Sequence, residues 1–169
     1  SNCNGADDCF GPDNNPNGIA NHGTHNTGTI AAVWDNNKGV VGVCFTCRIM
    51  ALRAGYYGGS LGPLLQDAYV VQALVYAADE GAKIASMSFA GSATSQALKD
   101  ALTYAADHGV ILVAAAGSAG TSDPMYPAAY ERVLSVGATD SLDQNTPFTS
   151  HSRYGRNGTI IDVSAPGVN

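Results

Sequence analysis

The chain has 169 residues and a formal net charge of -6, from 8 Lys+Arg against 14 Asp+Glu. Hydrophobic residues make up 45% of it and charged residues 13%, which excludes a disordered or coiled-coil protein and is typical of one globular domain. The acidic balance disfavours nucleic acid and anionic membranes as partners, and the longest apolar run, residues 110–116, is too short to span a membrane.

The first part of the chain, residues 1–20, is rich in Asn, Asp, Gly and Pro and is predicted to be an irregular loop. Asp7, Asp8 and Asp13 lie in this stretch, follow no fixed ligand spacing and are typical of an Asx-rich surface loop. The chain starts with neither an initiator Met nor a signal peptide, so we expect it to be a piece of a longer protein.

Beyond residue 21, apolar runs of strand length alternate with segments of helical period. Strands are predicted at residues 46–54, 84–89, 110–116, 132–138 and 159–164. Helices are predicted over residues 63–80 and from a cap at Ser92 or Thr94 to His108, just before Gly109. This alternation predicts a three-layer α/β/α fold with a mostly parallel central sheet, whose chemistry lies beyond the carboxyl ends of the strands.

The most distinctive segment reads HGTHNTGTIAA and starts at His22. An imidazole at the start of a helix, beside small residues, can be approached closely by a substrate and by a nucleophile. Gly23 and Gly28 each cost a helix about 1 kcal/mol relative to Ala, which indicates close packing or function. His22 is therefore a candidate functional residue, whereas His108 and His151 have no such surroundings and are expected to be structural.

The four cysteines are spaced as Cys3…Cys9 and Cys44-x-x-Cys47. In a charge-poor chain rich in Gly and Asn, this even number favours two local disulfides in a secreted protein. Reduced thiols in a cytosolic protein are the alternative. A zinc site is a third possibility, since Cys44 and Cys47 could join His22 and His25 in a tetrahedral set.

The run from His22 resembles the histidine motif of the subtilisin-like serine proteases, the subtilases, and further segments follow in that family's order. SMSFAG from Ser86 resembles its substrate-binding strand end, and VAAAGS from Val113 resembles the segment with its oxyanion-hole residue. The series is completed by two segments before these, GVC from Gly42 and IMALR from Ile49, and by three after them, YPA from Tyr126, VGA from Val136 and SAPGV from Ser164. The resemblance implies that residues 1–169 are part of a subtilase catalytic domain with both ends absent.

This resemblance implies a secreted, monomeric serine endopeptidase that acts on polypeptides and needs no cofactor for its chemistry. The family often binds structural calcium through loop oxygens, so the resemblance makes Asp7, Asp8 and Asp13 weak calcium candidates beside their interpretation as a surface loop. His22 would be the general base of a Ser-His-Asp triad, and Ser118 would stand at the oxyanion-hole position, where the family has Asn. The substrate would lie along two segments, one formed by Ser88, Phe89, Ala90 and Gly91 and the other by Ala115, Ala116 and Gly117. Gly59 and Ser60 would form a facing edge, for which the sequence signal is weaker.

Several features depart from the family's pattern. The Asp-(Thr/Ser)-Gly and Gly-Thr-Ser-Met-Ala motifs that carry the other two triad members do not occur in the sequence, so we expect the chain alone to be inactive. Ser118 has a shorter arm than Asn for reaching an oxyanion. Asn26 and Thr27 replace a usual small apolar pair, and their polar groups need partners.

Two other functions remain possible besides the zinc module. Ser118 and the missing motifs favour a non-catalytic subtilase-like protein that binds peptides without cutting them. A nucleotide-binding α/β domain is less well supported, because no G-x-G-x-x-G links a strand to a helix.

Overall fold

The computed structural model describes residues 21–57, 60, 63–120, 123–144 and 161–167. The chain divides into two compact units, Ser1–Ala73 and Leu74–Asn169. Several sequence predictions fall outside the described residues, namely those for Cys3, Asp7, Asp8, Cys9, Asp13, Gly59 and His151. Within the described part of the chain, no helix is both long and apolar enough to cross a membrane.

The first unit contains helix α1 (His22–Ala31), a short antiparallel pair of strands, β1 (Gly55–Tyr57) and β2 (Pro63–Leu65), and the beginning of helix α2 (Asp67–Asp79). Residues 63–65 were predicted as the start of the helix but pair with β1 instead, so α2 begins only at Asp67. Helical periodicity cannot reveal a partner strand, because the pattern within one segment does not show which other segment it pairs with.

Residues 46–54 were predicted as a strand and do not form one. Ile49, Met50 and Leu52 in this segment are exposed in spite of their apolar character. A strand requires a partner for its backbone N–H and C=O groups, and none of the described strands pairs with this segment. A composition typical of strands is therefore not sufficient for this segment to form one.

The carboxyl end of α1 is capped by backbone from further along the chain. The amides of Gly42, Val43 and Cys44 donate to the carbonyls of Ala32, Thr29 and Ile30 at 2.9, 3.0 and 2.7 Å. A Cβ atom at Gly42 would overlap the backbone nitrogens of the helix end, so only glycine fits this close approach. This contact fixes the loop that contains Cys44 against α1.

The second unit contains a four-stranded parallel sheet in the order β3-β4-β5-β6. Its strands are β3 (Ile84–Met87), β4 (Ile111–Ala115), β5 (Val133–Thr139) and β6 (Val163–Pro166), and helix α3 (Gln96–Asp107) connects β3 to β4. The predicted parallel α/β sheet is confirmed, with strand bounds that differ from the prediction by a few residues. Parallel pairing brings the carboxyl ends of β3 and β4 to the same edge of the sheet.

Helix α3 has a buried apolar face, a serine cap at its start and a glycine just after its end. Leu98, Ala101, Leu102 and Ala105 recur at helical spacing and are buried. The predicted caps, Ser92 and Thr94, are wrong: Ser95 caps the helix, and its side chain accepts a hydrogen bond from the Leu98 amide at 3.3 Å. The chain leaves the helix through Gly109, whose φ of 82° favours glycine.

A hydrogen bond joins the exposed sides of α2 and α3. The Tyr104 hydroxyl donates to the Asp79 carboxylate at 2.7 Å. Ionised Tyr104 would lose this bond and face a like charge, so the pKa of Tyr104 is raised.

Leu112 on β4 tests the core of the second unit. Its side chain is 2% exposed, whereas that of neighbouring Ile111 is 59% exposed. We expect Leu112→Ala to destabilise the unit by about 2–5 kcal/mol through a cavity, and Ile111→Ala by roughly 0.5 kcal/mol or less. Urea unfolding of the two variants measures both values, and equal losses would contradict the assignment of Leu112 to the core.

Candidate active site

His22 is the first residue of α1 and its side chain is exposed. Asn21, just before it, adopts a left-handed backbone conformation with a φ of 53° and makes no side-chain capping hydrogen bond. This turn into the helix places the imidazole at the helix start, as the sequence predicted. An exposed imidazole in this position can exchange protons with an approaching reactant.

The His22 ring has a partner one helical turn further on. Nδ2 of Asn26 lies 3.1 Å from Nε2 of His22. Because an amide NH₂ can only donate, this contact is a hydrogen bond when Nε2 is unprotonated and the ring proton is on Nδ1. The polar group of Asn26 therefore has a partner in the His22 ring, which the sequence did not identify.

The zinc alternative is not supported at Cys44 and Cys47. Their sulfur atoms form a disulfide, with the Cα atoms 5.3 Å apart, as the local-disulfide prediction expected. Zinc binds the thiolate form of cysteine, so these sulfur atoms are not zinc ligands while the disulfide is intact. No group of three or more His, Cys, Asp or Glu side chains among the described residues could hold a metal ion.

The predicted substrate-binding segments follow two neighbouring strands. Residues 88–91 follow β3, and residues 115–117 lie at the end of β4. Met87 is the register partner of Ala114, and Ser88 and Ala115 are the next residues along these two strands. Ala90 and Gly91 are exposed, and Ala116 is buried. Both segments therefore lie at the same edge of the sheet, and their role in substrate binding stays a prediction.

A second backbone connection supports the first of these segments. Gly91 and Tyr126 form an antiparallel bridge in which each amide donates to the other residue's carbonyl, at 2.9 and 2.7 Å. The Tyr130 hydroxyl donates to the Ser95 carbonyl at 2.9 Å and accepts from the Ser95 amide at 2.7 Å. These tyrosine contacts could not be predicted from the sequence, because no local spacing connects residues 35 positions apart.

Ser118 lies just beyond the end of β4. The amide of Ala116 donates to the Val136 carbonyl at 2.9 Å, so the strand stays anchored to β5 up to this point. Gly117 then turns the backbone with a φ of 103°, a conformation that side chains disfavour. Ser118 follows with its side chain exposed, and Ser60 of the first unit is exposed as well.

Comparison with known proteins agrees with the sequence motifs. The subtilase family, peptidase S8, matches residues 1–169. The chain is 39% identical over 156 residues to a thermophilic serine proteinase of Bacillus sp. (strain AK1), covering 92% of the chain and 36% of that relative. It is 37% identical over 155 residues to thermitase of Thermoactinomyces vulgaris, covering 92% of the chain and 52% of thermitase.

A solved structure shares the fold. The psychrophilic subtilisin-like protease from Pseudoalteromonas sp. AS-11 matches with a TM-score of 0.63 and 33% identity, over 85% of this chain and 31% of that structure. The chain thus spans about a third to a half of the length of the proteins it matches. On the family match over all 169 residues, the chain belongs to the subtilase family and has the subtilisin-like α/β fold.

Proposed function

We propose that the chain is part of a secreted serine endopeptidase in which His22 is the general base. The observation that carries this proposal is the exposed position of His22 at the start of α1, within the family's histidine motif. The disulfide between Cys44 and Cys47 supports the assignment to an oxidising, extracellular environment.

The chemistry of the proposed site is acyl transfer to a serine supplied by another segment. Nε2 of His22 takes the proton from the serine hydroxyl as that oxygen attacks the carbonyl carbon of the substrate. The C–N bond then breaks, and the same nitrogen returns the proton to the leaving amine. Water repeats the sequence on the acyl-enzyme, which releases the acid and restores the serine.

The two strand-end segments of the second unit are the proposed binding surface for the substrate backbone. Residues 88–91 can offer N–H and C=O groups to an extended peptide in the manner of an added strand. The bridge from Gly91 to Tyr126 holds the end of this segment, and the bonds from Tyr130 to Ser95 hold the chain just after it. Residues 115–117 form the adjoining wall, and the facing edge at Gly59 and Ser60 stays a prediction.

Ser118 is proposed to stand where negative charge develops on the substrate carbonyl oxygen. Its hydroxyl can donate to that oxygen directly or through one water molecule. The presence of serine at this position also supports the alternative function, a peptide-binding protein without hydrolytic activity, because serine is a weaker oxyanion donor than the Asn it replaces.

A structural calcium ion at Asp7, Asp8 or Asp13 is a separate prediction that this chemistry does not require.

Activity measurements separate the two functions. We expect the isolated chain to leave a fluorogenic peptide uncut, because acyl transfer also needs a nucleophile and a carboxylate. We expect turnover from a polypeptide that joins this chain to the family's Ser and Asp segments, called the completed enzyme below. A serine-directed phosphonylating reagent should abolish that turnover. Peptide binding by the completed enzyme without any cleavage would establish the non-catalytic alternative.

A further inference from the structure

We propose that Asn26 is a positioning residue that selects the tautomer of His22, placing the ring proton on Nδ1 and leaving the lone pair on Nε2. The contact between Asn26 Nδ2 and His22 Nε2 at 3.1 Å carries this inference. It deepens the proposed function and rests on it for its catalytic meaning, but the tautomer itself can be measured without any reaction.

The geometry of α1 explains why Asn26 can reach the ring. Residues four positions apart lie on the same helix face, one turn from each other. Asn26 is half-buried and His22 is exposed, so the amide is better fixed than the imidazole it contacts. Which ring nitrogen carries the proton is set by the hydrogen bond made at the other, and here Asn26 donates to Nε2.

This tautomer is the one that a general base of the proposed kind requires. A ring with its proton on Nε2 has no lone pair there to accept the serine proton, whereas a ring with its proton on Nδ1 does. Asn26 thus keeps the accepting nitrogen unprotonated before a substrate arrives. The serine hydroxyl then has to displace the Asn26 amide from Nε2, or share that lone pair with it, when the reaction begins.

The substitution Asn26→Asp is the sharpest test, because it replaces the donating NH₂ by an oxygen that can only accept. A carboxylate beside Nε2 favours a proton on that nitrogen, so the preferred tautomer should reverse. Asn26→Ala removes the contact altogether, and we expect it to shift the tautomer ratio about two- to tenfold away from the Nδ1–H form.

Thr29→Ala is the matched control on the same helix. Its hydroxyl donates to the His25 carbonyl at 3.2 Å, so the substitution also deletes one exposed polar contact within α1. It leaves the Asn26 amide in place, and we expect the tautomer ratio of His22 to stay as in the wild type. Circular dichroism of all the variants checks that α1 and the rest of the fold are kept.

The measurement is the pair of ring ¹⁵N shifts of His22, read through its carbon-bound protons in the 169-residue chain at about pH 9, where an ordinary imidazole is neutral. We expect an unprotonated Nε2 in the wild type and the Thr29→Ala control, a mixture in Asn26→Ala, and a protonated Nε2 in Asn26→Asp. The same ratio in all four folded proteins would overturn the inference.

A kinetic measurement in the completed enzyme keeps this inference distinct from the proposed function. We expect Asn26→Asp to lower kcat at least about tenfold with little change in KM, because the base is protonated at the nitrogen that must accept. An inactive wild-type completed enzyme would refute the proposed function and leave the tautomer result standing. Equal kcat values in an active enzyme would refute the role of Asn26 in positioning the His22 proton for catalysis.

Discussion

Replacing His22 by Ala should lower kcat of the completed enzyme on the order of 10⁶-fold. Without the imidazole, the serine hydroxyl has no group to take its proton as it attacks, and the leaving amine has none to protonate it. Removing the corresponding base from subtilisin, another subtilase, costs about 2 × 10⁶-fold in kcat, which sets the scale expected here. Hydrolysis of a chromogenic peptide under saturating conditions measures the loss.

His25 supplies the control for this experiment. It lies on the same helix three residues further on, and its side chain is exposed. We expect His25→Ala to keep kcat within about threefold of the wild type, since surface substitutions change local structure little. A comparable collapse in both variants would indicate damage to α1, and unchanged kcat in His22→Ala would contradict the role of His22 as base.

Ser118→Asn should raise kcat of the completed enzyme, by up to about 10²-fold. The longer amide arm can donate directly to the oxygen that becomes negatively charged in the transition state. Removal of one oxyanion-hole Asn from subtilisin costs about 10²–10³-fold, so restoring this donor should recover part of that factor. Because Ser118 is exposed and follows the turn at Gly117, the larger side chain has room.

The kinetic pattern identifies the origin of this gain. A donor that acts mainly in the transition state raises kcat while KM stays nearly constant. Ser118→Ala is the companion variant, and we expect it to lower kcat by about tenfold or less, because the short serine side chain is a weaker oxyanion donor than an Asn amide. If Ser118→Asn leaves kcat unchanged, the assignment of Ser118 to the oxyanion position is wrong.

Much of the fold could be predicted from local patterns. The buried side of α3 follows from apolar residues at helical spacing, from Leu98 to Ala105, and the parallel sheet follows from apolar strands that alternate with helices. The end of α3 at Gly109 could also be predicted, because a left-handed residue after a helix is most often glycine. These features depend on neighbours in sequence.

The errors arise where the structure of a segment depends on whether a partner strand lies beside it. Residues 46–54 have the composition of a strand but no strand partner among the described residues, and residues 63–65 leave the predicted helix to pair with β1. A hydrophobic pattern says which residues suit a strand. It does not say whether another strand lies beside them.

In the candidate site too, the features set by local sequence could be predicted and the contacts between side chains were not. The motif around His22 predicted a helix that starts at the imidazole, and the structure has that helix. The contact of Asn26 with the ring was not predicted, although a spacing of four residues could have indicated it. The bonds between Tyr130 and Ser95 carried no comparable signal, because their separation in sequence is long.

Covalent labelling of the completed enzyme by a peptidyl chloromethyl ketone tests the central role of His22 most directly. Once the peptide part of the reagent is bound, Nε2 of His22 should displace chloride from the reagent and form a covalent bond to its carbon. Tandem mass spectrometry of the digested protein should find a single adduct on His22, formed only when the peptide-binding site is unblocked. An unmodified His22 in a labelled protein, with the adduct on His25 or His108, would contradict the assignment.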